Sequence, residues 1–282
     1  SFYVADGLFV ALYRAPMRDP GPHALRLICS LYNVLVGALC AVVFLRLMRR
    51  LSGSEGGALV ATAFFAFGSL LWPYAGTFFS EPLALLFILL STDGLVGLGS
   101  QERGGTRRLR FDAGVAGLCL GAAVATHLTA ALYIPFLAAL PVLSANRRER
   151  PAALRTAGMY LLGLGMVLVL LGVYNYGRFG HPFETGRGVD PEAAAAFGYG
   201  NFVVPWPGIY GLLLGAGKGL LLFCPATLLG FLCWPMFHRR HRVLSLTLAA
   251  AALARLLFVA VRSDWHGGFC LGPRYLLLLV PF

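Results

Sequence analysis

Long apolar runs alternate with short polar loops along the chain, and the runs have the length of membrane-spanning helices. A helix needs about 20 predominantly apolar residues to cross the hydrocarbon core of a bilayer. The pattern therefore predicts an all-α polytopic membrane protein, a multi-helix bundle with about nine membrane segments in a single transmembrane domain, 1–282. In chain order the segments are Leu25–Met48, Ala58–Trp72, the run that follows Ser80-Glu81-Pro82 and ends near Gly99, the two parts of 112–144, Thr156–Tyr174, Lys218–Phe237, Val243–Val261 and a run from Gly272.

Three regions depart from this simple alternation. Residues 112–144 form an apolar block of about 33 residues, which is too long for one span, so we divide it at 127–129 into two short helices. Residues 1–23 are apolar and aromatic but are interrupted by charges and prolines. We expect them to lie on the membrane surface as an interfacial outer segment. Residues 175–217 form the longest non-spanning region and are predicted to be a long outer loop.

The composition agrees with a membrane protein and excludes an ordinary soluble domain. Apolar residues make up 58% of the 282-residue chain and charged residues 12%, whereas soluble domains carry about 25% charged residues. The net charge of +11 would suit a nucleic acid, but the basic residues lie in short clusters between apolar runs rather than on one solvated surface. No nucleic-acid partner is therefore expected. The six cysteines lie mostly inside apolar runs without metal-ligand spacing, which is typical of buried, inert thiols.

The basic residues predict the orientation in the membrane. Fourteen of the twenty-three lie in four regions, and the predicted segments place all four regions on the same side. Because cytoplasmic loops carry an excess of Lys and Arg, we assign that side to the cytoplasm of a plasma membrane. Most of the polar chemistry then lies on the non-cytoplasmic face. The four regions are 46–50, 103–110, 147–155 and 239–242.

The strongest polar anomaly is the stretch Ser263–Tyr275, which combines an acid, a histidine, an arginine and several glycines. Such a mixture is costly in hydrocarbon, so it should line a wet pocket or a membrane face. Asp264 and His266 are catalytic candidates, with Arg262 and Arg274 beside them. Two alternatives stay open: Asp264 pairs with one of the two arginines and only holds the loop, and His266 is an ordinary hydrogen-bonding group.

Other basic residues of the outer face are candidates for binding an anion. Arg178 and Arg187 offer planar donors that suit phosphate or carboxylate. Lys218 lies in a glycine-rich stretch before the seventh predicted span, where the free amides of a helix N-terminus favour an anion. For each of these residues the alternative is a side chain that snorkels to lipid headgroups.

Further candidates lie at or inside the predicted spans. Glu81 begins the third span, where a carboxylate is either a cap favoured by the helix dipole or a catalytic group. His127, at the turn in the long apolar block, is a weaker candidate. Arg255 lies inside the eighth span and must face protein or a cavity rather than lipid. Glycine pairs at a close-packing spacing are a weak signal in a chain with 35 glycines. They are Gly117 and Gly121, Gly211 and Gly215, and Gly268 and Gly272.

Three polar motifs follow one another on the predicted outer face. They are Tyr174-Asn175 with Arg178-Phe179-Gly180-His181-Pro182-Phe183, Gly217-Lys218-Gly219-Leu220 with Pro225, and Trp265-His266-Gly267-Gly268 with Gly272-Pro273-Arg274-Tyr275. In this order, and with this helix layout, most of the chain resembles bacterial GT-C glycosyltransferases. Those enzymes are similar to the protein O-mannosyltransferases and to the aminoarabinose transferases of lipid A.

The resemblance implies a GT-C-like bundle that transfers a sugar from a polyprenyl-phosphate donor to an acceptor on the non-cytoplasmic side of a bacterial inner membrane. Basic residues would hold the donor phosphate, as fixed cations stabilise developing charge. A carboxylate would serve as general base towards the acceptor. The phosphate-binding candidates are Arg178, Arg187, Lys218, Arg262 and Arg274. The catalytic candidates are Asp6, Glu81, Asp264 and His266.

One departure from the family concerns the acids that it carries in its first outer loop. Only Asp6 and Asp19 precede the first clear span here, and they do not form an acidic pair. The chain begins at Ser1 and stops inside an apolar run, so we expect a piece of a longer protein. Three interpretations stay open: the acid lies upstream, Asp6 is its remnant, or the chain is inactive.

Two other functions compete with the transferase hypothesis. An accessory membrane subunit would keep the scaffold without catalysis and dock against a larger membrane complex, and the missing acidic pair favours it. A transporter of a lipid-linked anion would commonly show inverted repeats, and the sequence has no convincing one. The expected partners are the polyprenyl-phosphate sugar donor and membrane lipids. The sequence assigns no metal ligands, and a divalent cation as cofactor is left open.

Overall fold

A computed structural model describes residues 22–99, 106–185 and 201–282, and within these ranges the chain is helical with no strand and one isolated β-bridge between Phe202 and Arg262. Eleven α-helices are described. They are α1 (Pro22–Ser52), α2 (Glu55–Phe67), α3 (Leu71–Ala75), α4 (Glu81–Gly99), α5 (Thr106–Thr126), α6 (Ile134–Ser144), α7 (Arg150–Phe179), α8 (Pro205–Leu213), α9 (Leu220–Phe223), α10 (Ala226–Arg240) and α11 (Arg242–Ala260). Two 3₁₀ helices cover Leu128–Tyr133 and Arg274–Leu279.

The all-α prediction is confirmed, and the described residues contain five helices long and apolar enough to cross a membrane. These five correspond to the first, third, fourth, sixth and eighth segments predicted from the sequence. The count of nine segments is not confirmed, because the other four segments are shorter or broken helices in the described part of the chain. The five spans are Leu31–Ser52, Glu81–Gly99, Arg108–Thr126, Arg150–Phe179 and Arg242–Ala260.

Glycine and proline account for the breaks that shorten these segments. The second predicted span ends early at the C-cap Gly68, and the chain resumes as the five-residue α3. The seventh begins as the four-residue α9 and is interrupted at Cys224 and Pro225 before α10. Proline lacks the amide donor that would continue the helical hydrogen bonds. The predicted division of 112–144 at His127 is observed, although the second part starts as a 3₁₀ helix.

Helices α1 and α4 run side by side in the same direction and define the two ends of the bundle. The side-chain amide of Asn33 donates to the Phe79 carbonyl at 2.9 Å. Further along, Arg50 Nη1 donates to the Asp93 carbonyl at 2.9 Å. We call the end that contains Phe79 and Glu81 the cluster end, and the end that contains residues 46–50 the basic end.

Helix α10 returns the chain to the basic end, where its last residues contact the end of α1. Arg240 Nη1 donates to the Ser52 carbonyl at 2.7 Å, and His241 Nε2 lies 2.9 Å from the Leu51 carbonyl oxygen. Two of the four basic regions identified in the sequence, 46–50 and 239–242, therefore meet at one end of the bundle. Which end faces the cytoplasm remains a prediction of the charge pattern.

The basic end also holds a buried acid that the sequence analysis did not select. Asp93 of α4 has a completely buried side chain, and both Arg46 and Arg50 of α1 form ion pairs with its carboxylate. Arg50 passes so close to Gly97 that a Cβ there would lie 2.1 Å from its Nη1. A buried carboxylate in an apolar span requires such partners.

Helices α5 and α7 approach each other at backbone distance. A Cβ on Gly117 would lie 1.9 Å from the Tyr160 carbonyl oxygen, and a Cβ on Gly163 would lie 2.1 Å from the Gly114 carbonyl oxygen. Small residues allow membrane helices to pack this closely. The pair Gly117 and Gly121 thus carries more weight than its sequence signal indicated.

Several predictions concern residues that lie wholly or partly outside the described ranges. They include nearly all of the interfacial segment 1–23, with Asp6, and also Arg187. The predicted long outer loop 175–217 is described only in part. That part includes the end of α7 and the nine-residue α8, and the location of the region on the outer side stays a prediction. Helix α7 ends at Gly180, whose φ of 74° is left-handed and suits glycine.

Candidate functional site

Three distant segments bring an acid, a histidine and an arginine together at the cluster end. Glu81 begins α4, His127 follows α5, and Arg274 begins the second 3₁₀ helix. Arg274 Nε lies 3.0 Å from Glu81 Oε1, and His127 Nε2 lies 3.8 Å from the same oxygen. The Glu81 side chain is only 3% exposed. The arginine contact is a close ion pair that lacks the angle of a hydrogen bond.

Two aromatic rings contact the Arg274 guanidinium. Its Cζ lies 4.5 Å from the centre of the Phe79 ring and 4.9 Å from that of the Tyr275 ring. Nη2 also donates to the Tyr275 hydroxyl at 3.3 Å. Cation–π contacts on both rings restrict the side chain more than the single ion pair with Glu81 would. Arg274 is therefore a preorganised cation.

A second ion pair lies beside the first. Arg262 Nε donates to Asp264 Oδ1 at 2.7 Å, and Arg262 Nη2 donates to Oδ2 of the same carboxylate. The Tyr275 hydroxyl donates to Oδ2 at 3.3 Å, which links this pair to Arg274. Burial opposes ionisation of the Asp264 carboxyl, but the hydrogen bonds and charge of Arg262 outweigh it and hold the pKa of Asp264 below its usual value.

This pKa shift predicts how stability depends on pH. A carboxyl with a lowered folded-state pKa stabilises the fold above its unfolded-state pKa, and that contribution is lost as the pH falls through the folded-state pKa. We expect Asp264→Asn to lower the free energy of unfolding by about 1–2 kcal/mol from pH 7 down to about pH 5, and the difference from the parent to shrink below about pH 4. Thermal unfolding of the parent and of Asp264→Asn in detergent, from pH 7 to pH 3, measures this difference in stability.

The exposed pair of Arg49 and Glu55 provides the control. Glu55→Gln should leave the melting temperature almost unchanged at every pH, because an exposed ion pair contributes little. A stability loss in Asp264→Asn that stays constant down to pH 3 would contradict the pairing described here.

Arg255 of α11 supports the site from inside the bundle, where its side chain is completely buried. Nε and Nη2 both donate to the Tyr275 carbonyl, at 3.0 and 2.8 Å. Nη1 donates to the Thr129 carbonyl at 3.1 Å and to its hydroxyl. The Thr129 hydroxyl in turn lies 2.8 Å from His127 Nδ1. One buried guanidinium thus joins the segments that carry His127 and Arg274.

Removing this guanidinium should disorganise the cluster. We expect Arg255→Met to lower the free energy of unfolding by about 2–3 kcal/mol, because two carbonyl groups lose their donors inside the bundle while the cost of burying the charge is relieved. Arg255→Lys keeps the charge but cannot reach both carbonyls with a planar fork, so it should restore only part of the loss. Melting temperatures of the two variants in detergent test this, and equal stability of Arg255→Met and the parent would contradict it.

Lys218 holds the loop that leads into Arg274. Its Nζ donates to the carbonyls of Gly268 and Cys270, at 2.8 and 2.6 Å, and lies 3.1 Å from Cys270 Sγ. The helix that follows, α9, has only four residues, and the role of Lys218 in anion binding stays a prediction. On the other side of the loop, the Tyr74 hydroxyl donates to the Leu271 carbonyl at 2.6 Å. Lys218 is thus bound to the loop backbone.

The structure brings some of the predicted site residues together and leaves others apart. Glu81, Arg262, Asp264 and Arg274 form one cluster, and Asp264 adopts the pairing with Arg262 that the sequence left as an alternative. His266 is exposed at the rim, where its Nδ1 accepts a hydrogen bond from the Gly268 amide at 3.0 Å.

Arg178 lies elsewhere. It is exposed at the end of α7, and its described contacts are with residues of its own helix. Nη1 donates to the Tyr174 hydroxyl at 3.1 Å, and Cζ lies 5.0 Å from the centre of the Phe179 ring. Its role in phosphate binding stays a prediction, as do those of Asp6 and Arg187, which lie outside the described residues.

Sequence reasoning underestimated three members of the cluster. His127 was ranked low, and Phe79 and Tyr275 were not selected. Their positions in the sequence could have identified the two aromatic residues as neighbours of the site. Phe79 lies two residues before Glu81, and Tyr275 directly follows Arg274. Within the described ranges, no group of three or more His, Cys, Asp or Glu side chains could hold a metal ion.

Comparison with known proteins does not assign a family. No protein-family model, curated protein or solved structure matches this chain. The likeness to GT-C enzymes therefore rests on the sequence motifs alone.

Proposed function

We propose that this chain is a GT-C-type membrane glycosyltransferase that moves a sugar from a polyprenyl-phosphate donor to an acceptor. The observation that carries the proposal is the buried Glu81 carboxylate, 3.0 Å from the preorganised Arg274 at one end of an apolar helical bundle. The proposal includes about nine membrane segments in a bacterial plasma membrane. The basic end faces the cytoplasm, and the cluster end faces the opposite side.

The charge balance of the cluster suits an anionic donor. Two carboxylates, Glu81 and Asp264, lie among the guanidiniums of Arg255, Arg262 and Arg274, so that cations are in excess. A phosphate that enters the cluster brings the missing negative charge. Guanidinium groups match phosphate oxygens with paired hydrogen bonds, which favours Arg274 and Arg262 as the groups that hold it.

The proposed reaction is a displacement at the anomeric carbon of the donor sugar. The acceptor hydroxyl oxygen forms the new bond to that carbon while the bond from the carbon to the phosphate oxygen breaks. The electron pair of the broken bond leaves with the polyprenyl phosphate, whose added charge Arg274 stabilises. Glu81 takes the proton of the acceptor hydroxyl as general base. His127, close to the same carboxylate oxygen, positions Glu81.

A specific observation favours a second function, an accessory subunit without catalysis. Arg262 is occupied by Asp264, Arg274 by Glu81, and Lys218 by backbone carbonyls. Such internal pairing is also what a purely structural cluster would show. In that case the chain would keep the fold and dock against a larger membrane complex.

A transfer assay separates the two functions. Purified protein, in the full-length form that its gene encodes, is incubated with a panel of labelled polyprenyl-phosphate sugars and membrane acceptors, together with Lys218→Ala and Arg274→Ala variants. The proposal predicts that one donor is bound and turned over and that Arg274→Ala lowers turnover by at least about 100-fold. Arg147→Ala, which changes an exposed arginine between α6 and α7, is the matched control and should behave like the parent.

The assay also has a clear negative result. If the parent neither binds nor turns over any donor, and if both variants are indistinguishable from it, the transferase proposal fails and the accessory function takes its place. For Lys218→Ala we expect a smaller loss, about tenfold, because Lys218 acts through the loop that carries Arg274.

A further inference from the structure

An open groove of about 540 Å³ lies on α10 at the basic end, away from the cluster. Leu232, Pro235 and Met236 form its apolar part, and Arg239 and Arg240 form its charged part. The groove therefore changes from apolar to cationic along a single helix. A ligand that fits it must be amphipathic, with its negative charge at the basic end of the bundle.

The charged part of the groove is fixed in place. Arg240 Nη1 donates to the Ser52 carbonyl at 2.7 Å, which ties the guanidinium to the end of α1. Gly53 provides the room for this contact, because a Cβ there would lie 2.9 Å from Arg240 Nη2. The φ of Gly53 is 65°, a left-handed value that also favours glycine. The guanidinium is therefore held at the groove before any ligand binds.

The two arginines of the groove differ from the other arginines of the basic end in their acidic contacts. At the same end, Arg46, Arg49 and Arg50 all have acidic partners. Among the described residues no carboxylate forms an ion pair with Arg239 or Arg240, and both residues are exposed. Adjacent guanidiniums without acids attract an anion, and their planar donors match phosphate oxygens.

The apolar part of the groove is also exposed. Leu232 is 76% exposed and Met236 is 73% exposed. In a membrane Leu232 and Met236 face acyl chains. Arg239 and Arg240 lie about one helical turn beyond Met236 and reach the level of the lipid headgroups. We propose that the groove binds an anionic phospholipid, with its phosphate held by Arg239 and Arg240 and an acyl chain along Leu232 and Met236. This site is separate from the cluster and does not depend on the proposed transferase activity.

Native mass spectrometry of the whole protein tests the proposal directly. An anionic phosphatidylglycerol and a zwitterionic phosphatidylcholine with identical acyl chains are titrated separately, and the fraction of protein with one bound lipid is measured. The parent should prefer the anionic lipid. Arg239→Ala and Arg240→Ala should each weaken its binding about fivefold, the change that corresponds to about 1 kcal/mol for a basic residue near an anionic headgroup.

Two further variants distinguish a built site from general attraction. The double variant Arg147→Ala/Arg148→Ala removes two exposed arginines that do not line the groove, and it should change binding less than twofold. Met236→Gln keeps the charge but makes the apolar wall polar, and it should weaken binding several-fold. Equal losses in the Arg147/Arg148 and Arg239/Arg240 variants, or no preference for the anionic lipid, would overturn the proposal.

Discussion

Replacing Glu81 by glutamine is expected to lower the rate of sugar transfer by about 100-fold or more while donor binding stays within about threefold. The carboxylate is the proposed general base, and a positioned base contributes about 10²–10⁴-fold to the rate. Glutamine keeps the size and one acceptor oxygen of Glu81, so Arg274 keeps a polar neighbour. The loss should therefore appear in kcat and not in the affinity for the donor.

The matched control is Glu55→Gln, the same change at an exposed acid that pairs with Arg49 at the basic end. It should leave kcat unchanged. Melting temperatures of both variants show whether a loss of activity reflects a loss of fold, since a buried ion pair that loses one partner is destabilising. A Glu81→Gln variant that is folded and retains the kcat of the parent would exclude Glu81 as the base.

Replacing Gly163 by alanine is expected to be among the most destabilising single changes in the bundle. The new Cβ would lie 2.1 Å from the Gly114 carbonyl oxygen, a distance at which the backbones of α5 and α7 must separate. Overpacking a tight interface costs about 1–3 kcal/mol, and here the obstacle is backbone rather than a flexible side chain. Because α5 and α7 lose close contact along their length, we expect the upper part of that range.

Gly165 on the same helix provides the control, since a Cβ there meets no atom within 4 Å. Both substitutions gain the helix propensity of alanine, about 1 kcal/mol over glycine. Gly165→Ala should therefore match or exceed the parent in melting temperature, and Gly163→Ala should fall well below it. Equal melting temperatures would show that α5 and α7 are not packed at backbone distance.

The lengths of the apolar runs were sufficient to predict the all-α class and the five long apolar helices. The eighth segment, for example, was predicted from its apolar composition as Val243–Val261. The structure has this helix at Arg242–Ala260, one residue away at each end. The points at which the second and seventh predicted segments are interrupted were harder to locate. Gly68 and Pro225 lie inside apolar runs, and the length of a run alone predicts one continuous helix. The conformational freedom of glycine and the missing amide donor of proline act locally, and hydropathy does not record them.

The sequence was sufficient to select several residues of the candidate site, but not to predict which of them form ion pairs with each other. Polarity among apolar runs selected Glu81, Asp264 and Arg274. It did not show that Arg274 pairs with Glu81, because that contact joins helices far apart in the sequence and depends on how α4 packs against the second 3₁₀ helix. Short polar side chains in apolar runs were the least visible, as Asp93 shows: its partners Arg46 and Arg50 were read only as topology signals.

The glycine pairs illustrate the same limit. The spacing of Gly117 and Gly121 is common by chance in a glycine-rich chain, so the sequence alone gave it little weight. The facing helix α7, with Tyr160 and Gly163, shows that these glycines lie where the two helix backbones approach each other closely. A pattern on one helix becomes informative when the helix that it faces is known.

The most direct test of the central claim is photo-crosslinking with a polyprenyl-phosphate sugar that carries a diazirine on its first isoprene unit. After irradiation of the full protein in membranes, mass spectrometry locates the labelled peptides, and unlabelled donor serves as competitor. The account predicts competable labelling in the cluster-end segments around Phe79–Glu81, 127–129 and 262–275. Labelling that is confined to the basic end, or that unlabelled donor does not reduce, would contradict it.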